Sequence, residues 1–287
     1  MSPLRFSRKG TAVDASPLEA EARSLRADIV SMIAEAGSGH PGGSLSCADI
    51  LTALYLGGVM EHDPADPKKE GRDWFILAKG HAAPALYATL AHAGYLPREE
   101  LKTLRKLGTR LQGHPDCRLC PGVEVSTGSL GQGLSIAAGT AAGLALDGRA
   151  GTVFTLLGDG ECEEGQVWEA AMFAAHRGLG NLVAIVDLNG LQIDGATADV
   201  CDPGDLGAKF AAFGWDVTCV DGHDLGALVE VLGGAKRAGG SRPHAVIART
   251  VKGKGVSFME GQAGWHGKAP NAEELTIALA ELQAAGE

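Results

Sequence analysis

A chain of 287 residues, 45% of them hydrophobic, can bury a large core and form one sizeable α/β unit. A formal charge of −10 with no basic cluster excludes a nucleic-acid surface. No apolar run approaches membrane-spanning length, so a cytoplasmic protein without a membrane partner is expected.

Residues 1–15 are polar, lack an apolar segment and read as a flexible N-terminal arm rather than a signal peptide. Residues 16–287 are expected to form a single domain. Ser16-Pro17-Leu18-Glu19 has the pattern of a capping box with Pro at the first helical position. Leu18, Ala22, Leu25, Ile29 and Met32 mark one face of the helix that follows, which stops near Gly37. Ser46-Cys47-Ala48-Asp49 starts another, with Ile50, Leu51 and Leu54 inward. Strands are predicted at 74–78, 152–157, 182–186, 215–220 and 245–249. Helices are predicted at 130–146, 166–177, 206–213 and 225–238, and a last one, capped by Asn271 and Glu274, through Leu282. Lys252-Gly253-Lys254-Gly255 reads as a flexible loop. Alternating strands and helices predict a doubly wound α/β fold, a mainly parallel sheet flanked by helices.

The chemistry concentrates where the predicted strands end. The run 152–157 leads into Gly158-Asp159-Gly160-Glu161-Cys162-Glu163-Glu164-Gly165, and the run 182–186 into Asp187-Leu188-Asn189-Gly190-Leu191-Gln192. Strands joined through a helix are parallel neighbours, so Asp159 and Asn189 arrive at one edge of the sheet. A carboxylate and an amide oxygen there suit a hard divalent cation that keeps positions open for phosphate oxygens. Gly158 and Gly160 would let the backbone approach a phosphate, with the following helix supplying N–H donors. A bare Gly-Asp-Gly is most often an ordinary acidic βα turn; the acidic helix start and Asn189 make the set more specific.

This set resembles the thiamine-diphosphate signature. The resemblance implies Mg²⁺ or Ca²⁺ held by Asp159, Asn189 and the Leu191 carbonyl. Many relatives carry a second Asn or Asp where this chain has Leu188, which is expected to point away from the face used by Asn189. Four further motifs are similar to transketolase in order and spacing. They are Ser38-Gly39-His40-Pro41-Gly42-Gly43, Lys79-Gly80-His81, Leu111-Gln112-Gly113-His114-Pro115 and Ser126-Thr127-Gly128-Ser129-Leu130-Gly131-Gln132-Gly133. The resemblance covers residues 20 to 270 and implies transfer of a two-carbon ketol unit between a ketose and an aldose, as their phosphates. It implies that His40 and His114 act on substrate. It also implies that His81, Gly128, Leu130, Gly158, Gly160 and His266 lie against thiamine diphosphate, His266 reaching the substrate end as well. Glu164 is either part of a carboxylate network between two active sites or a first-turn glutamate favoured by the helix dipole.

The resemblance stops at the diphosphate-binding domain. It therefore implies a split transketolase, completed in an α2β2 assembly by a separate pyrimidine-domain subunit. A specialised transketolase-like enzyme of a biosynthetic or sugar-catabolic pathway would look the same in this half. A 2-oxo acid dehydrogenase E1 α-type subunit would share the metal motif but not the His40 and His114 loops. A non-catalytic scaffold would have no need of those histidines. His62, His92, His176, His223 and His244 match no motif and read as ordinary solvated or hydrogen-bonded residues. The six cysteines suggest no disulfide framework. Cys117 and Cys120 form a C-x-x-C without a second ligand pair, and Cys162, in the acidic loop, is the thiol expected to oxidise.

Overall fold

A computed structural model describes residues 15–285; the arm expected at 1–15 lies outside them except for Ala15. Five strands form one parallel sheet in the order β1-β2-β3-β5-β4: β1 Trp74–Leu77, β2 Val153–Gly158, β3 Leu182–Leu188, β4 Asp216–Asp221 and β5 His244–Arg249. All five predicted strands are present, with ends displaced by one or two residues. The apolar runs within β1, β2, β3 and β5 suit strands covered on both faces, whereas β4, at the sheet edge, is half-buried over most of its length. The helices are α1 Ser16–Ala36, α2 Pro41–Ser46, α3 Ala48–Tyr55, α4 Ala83–His92, α5 Gln132–Leu146, α6 Gly165–His176, α7 Thr197–Val200, α8 Leu206–Ala212, α9 Leu225–Ala238 and α10 Ala272–Ala284.

Alternation along each strand divides the interior in two. Phe75, Leu77, Phe154, Leu156, Val183, Ile185 and Val246 face a core of large aliphatic side chains from α1, α3, α4 and α9. Ile76, Ala78, Val153, Leu157, Ala184, Val186 and Ile247 face an alanine-rich core under α5, α6 and α8. The small residues of α5 bring it close to the sheet. A Cβ on Gly133 would lie 2.3 Å from the Ala78 Cβ, so only glycine fits there.

Several expectations need correction. The capping box at Ser16 does not form: α1 starts one residue early, Ala15 is its N-cap, and the Glu19 N–H bonds the Ala15 carbonyl. The capping box at Asn271 and Glu274 does form. The helix predicted from Leu130 begins at Gln132, after Gly131 in a left-handed conformation. Helices α2, α4 and α7 had no prediction. The helix after the acidic loop is present, one residue earlier than predicted, and the loop itself holds a 3-10 turn, Gly160–Glu163. The loop at Lys252 is no loose tether, since Lys252 itself is buried.

Candidate active site

Parallel strands place all five carboxyl ends on one edge, where open α/β sheets bind ligands. At its centre Asp187, the penultimate residue of β3, is fully buried. It pairs with the Lys79 ammonium, which follows β1, and accepts from the Thr250 hydroxyl, which follows β5. The Ser46 hydroxyl of α2 donates to it at 2.5 Å. Lys79 also donates to the Gly43 carbonyl at 2.8 Å. Burial opposes the Asp187 charge, but the Lys79 cation and these hydrogen bonds outweigh it and hold the carboxyl below its ordinary value.

Asp159, directly after β2, is also buried but has no cation bonded to it. Its oxygens accept from the Gly160 N–H at 2.9 Å and the Gly190 N–H at 2.5 Å. Burial first, and the Asp187 charge second, push its carboxyl up to about 6. Asn189 Oδ1 accepts from the Leu191 N–H at 3.1 Å, and its amide reaches Asp187 at 3.4 Å. Leu188 packs against the alanine-rich core, apart from Asp187 and Asn189.

The four acidic residues of the loop have different fates. Glu161 is buried and ties two segments together by accepting from the Gly131 and Gly158 N–H groups, each at 3.1 Å. Burial pushes its carboxyl up to about 7. Glu163 accepts from the Gln192 amide at 2.7 Å. Glu164 is exposed and is the N-cap of α6 rather than a first-turn residue, its Cβ against Gly131. The N–H groups of Gly158 and Gly160 are bonded within the loop, to Glu161 and Asp159.

Positive and neutral donors supply the rest of the wall. The Lys252 ammonium contacts the Leu191 carbonyl at 3.2 Å and His266 Nδ1 at 2.9 Å. Burial, then the nearby Lys79, lower it to about 8. The rings of His40, His81 and His266 form a triangle with centroids 5.1–5.4 Å apart. Burial keeps all three neutral near pH 7, lowering His40 to about 4 and His266 to about 3, and holding His81 well below its ordinary value. His40 Nδ1 is buried without a partner.

A cleft of about 200 Å³ is lined by His81, Leu130, Gly158, Asp159, Gly160, Glu164, Asn189, Leu191 and His266, together with Lys79 and Lys252. His40 joins it through the histidine triangle. His114 stands further out, exposed, its ring against Gly128. At φ +145°, Gly128 is conformationally suited to glycine, and a Cβ there would lie 2.9 Å from the His114 ring. Sequence reasoning missed Lys79 as an ion-pair partner, Asp187, Glu161 and Lys252. It also passed over Arg105, whose positive φ of 59° is unusual for a non-glycine residue and whose guanidinium packs on Gly113. Cys162 is 1% exposed, and burial raises its thiol far above the ordinary value, so the expected oxidation site is a core residue.

Residues 18–283 match the family described as transketolase, thiamine diphosphate binding domain. The chain is 44% identical over 269 residues to a 6-deoxy-6-sulfo-D-fructose transketolase subunit of Clostridium sp., covering 94% of this chain and 97% of that protein. It is 41% identical to an apulose-4-phosphate transketolase subunit of Phocaeicola vulgatus, covering 92% of this chain and 93% of that protein. The transketolase structure from Campylobacter jejuni superimposes with a TM-score of 0.86 at 33% identity, over 93% of this chain but only 42% of that one. The chain thus belongs to the transketolase family, matching its thiamine diphosphate binding domain over nearly its whole length and resembling proteins named as transketolase subunits.

Proposed function

We propose that this protein completes its active site with a separate pyrimidine-domain subunit, in an α2β2 assembly, and transfers a two-carbon ketol unit from a ketose phosphate to an aldose phosphate. The observation that carries this reading is the meeting of Asp159, Asn189 and the Leu191 carbonyl with Lys252 and three neutral histidines at one sheet edge. The residues fit the cofactor: the destabilised charge of Asp159 suits a divalent cation, and the buried Nδ1 of His40 has no partner among the described residues. Asp159, Asn189 and the Leu191 carbonyl would hold Mg²⁺ or Ca²⁺. His81, Gly128, Leu130, Gly158, Gly160 and His266 would lie against thiamine diphosphate, with Lys252 opposing its negative end. When bound, the cofactor supplies the electron sink for breaking and making the carbon–carbon bond.

The chain's own residues bind, orient and move protons. His40, kept neutral by burial, and the outlying His114, lowered by partial desolvation and the Arg105 charge, can donate to a developing alkoxide or take a proton from a hydroxyl. Glu164, exposed at the start of α6, is available to a carboxylate network with another subunit. One domain over 16–287 and a cytoplasmic location belong to the same reading; all six cysteines are free, as suits a reducing compartment. A specialised ketose is a second reading, favoured by the two full-length relatives, whose names specify 6-deoxy-6-sulfo-D-fructose and apulose 4-phosphate. The test is a coupled assay with thiamine diphosphate, Mg²⁺ and a ketose phosphate. The single chain should be inactive and the assembled pair active, with His114→Ala in the pair slower by about 100-fold at unchanged cofactor affinity. Robust turnover by the single chain would overturn the split-site reading.

A further inference from the structure

We propose that His223 is a positioning residue that sets Lys252 in the cleft through the Val251 amide. The proposal rests on the cleft being the thiamine diphosphate site, but its geometry stands apart from that. His223 follows β4 at the sheet edge, remote in sequence from every motif that marks the site. Its Nε2 accepts from the Val251 N–H at 2.8 Å. A nitrogen that accepts from an amide carries no proton, so the ring is neutral and its proton lies on Nδ1. Nδ1 then donates to Asp49 Oδ2, 2.6 Å away.

Asp49 is itself held. It is buried on α3, and the Arg26 guanidinium of α1 grips both its oxygens, at 2.9 and 2.6 Å. A fork of this kind fixes a carboxylate in direction as well as place. The order of contacts is therefore Arg26, Asp49, His223, the Val251 amide, and then Lys252. The sheet ladder cannot serve this amide, because Thr250 makes the last bond, to the Leu188 carbonyl at 3.1 Å. His223 takes over one residue later, where the chain leaves the sheet.

On the other side of Lys252 the backbone is fastened twice. The Gly253 N–H bonds the Gly42 carbonyl at 3.0 Å, and the Gly261 N–H bonds the Lys252 carbonyl at 2.9 Å. The Lys252 stem passes over Gly42, where a Cβ would lie 3.0 Å from Lys252 Cγ. With its stem confined, the backbone position decides where the ammonium goes, and His223 fastens the N–H of the residue just before it. A purely structural histidine would hold the β4–α9 turn with no consequence for Lys252.

The variants His223→Phe and His223→Gln separate these roles. Glutamine can donate to Asp49 and accept from Val251, whereas phenylalanine can do neither. In the full chain, hydrogen–deuterium exchange over residues 250–256 should quicken about tenfold in the Phe variant and stay near wild type in the Gln variant. In the assembled complex, half-saturating thiamine diphosphate with Mg²⁺ should rise about tenfold for Phe and recover for Gln. Unchanged local exchange in the Phe variant, or no recovery by Gln, overturns the proposal. Should the Phe variant fail to fold, ¹⁵N spectra of the wild-type imidazole decide: an Nδ1–H tautomer supports the proposal, and an Nε2–H tautomer overturns it. Local exchange that behaves as expected, in a wild-type complex that binds no thiamine diphosphate, sustains the positioning of Lys252 and refutes the cofactor reading instead.

Discussion

Asp187 and Asp159 stand at the carboxyl ends of adjacent strands, β3 and β2, and both are almost fully buried. Asp187 is surrounded by a cation and two hydroxyls and is held in its charged form. Asp159 receives two backbone N–H groups, has a like charge behind it, and is pushed towards protonation. The first arrangement is complete within the chain. The second is a carboxylate whose charge the fold alone does not balance, the condition expected of a residue prepared for a metal ion. The difference predicts which substitution harms the fold and which harms only binding.

The largest effect belongs to the balanced pair. Asp187→Ala leaves the Lys79 ammonium buried without its counter-charge, and a loss of about 3–5 kcal/mol is expected in urea unfolding. Replacing both charges, as Lys79→Met with Asp187→Leu, should recover much of that loss, because the two substitutions remove one interaction. Strictly additive losses would show that the pair is not coupled.

Asp159→Ala should do the reverse. Metal-dependent thiamine diphosphate affinity in the assembled complex is expected to fall about 100-fold or more by calorimetry. The free chain should keep its stability at pH 7, because a charge that burial opposes has been removed. The sign is checked by pH. The folded-state value of about 6 lies above the ordinary 3.8, so Asp159 favours folding when protonated. Wild type should therefore lose stability relative to Asp159→Ala as the pH rises from about 4 to about 6. Unchanged affinity for the cofactor would remove Asp159 from the metal site.

The same contrast explains what could be read from the sequence. The inner strands were legible because buried parallel strands hold unbroken apolar runs, each ending at a polar or glycine-bearing segment. Asp159 and Asn189 were legible because their neighbours form a local motif. Asp187 was not: its partners Lys79, Ser46 and Thr250 come from three separate segments, and only the closed sheet unites them. Lys252 lay beyond reach for the same reason, appearing in sequence as one of two lysines in a glycine-rich loop. Among the acids after β2, Glu161 carried no expected role. Burial alone distinguishes Glu161, which braces the Gly131 and Gly158 amides, from Glu164, which faces outward.

A third carboxylate setting sharpens the comparison with the smallest expected effect. His92, the last residue of α4, places Nδ1 3.0 Å from Glu21 and Nε2 2.8 Å from Asp28, both on α1. Two carboxylates facing two ring nitrogens require both to donate, so the imidazolium is the bound form. The hydrogen bond to Asp28 raises His92 above 6.5, and burial only partly opposes it. A raised value means the contribution is fully present below about pH 6.5 and is lost as the pH rises through the folded-state value. Half-exposed Glu21 weakens its share through solvent screening, so the gap between wild type and His92→Gln should be about 0.5–1 kcal/mol at pH 6. By pH 9 the gap should close. The Lys79–Asp187 pair should show no such change over that range, because the Asp187 carboxylate holds the ammonium charged well beyond it. A His92→Gln gap as large at pH 9 as at pH 6 would mean that packing, and not the charge on the ring, joins α4 to α1.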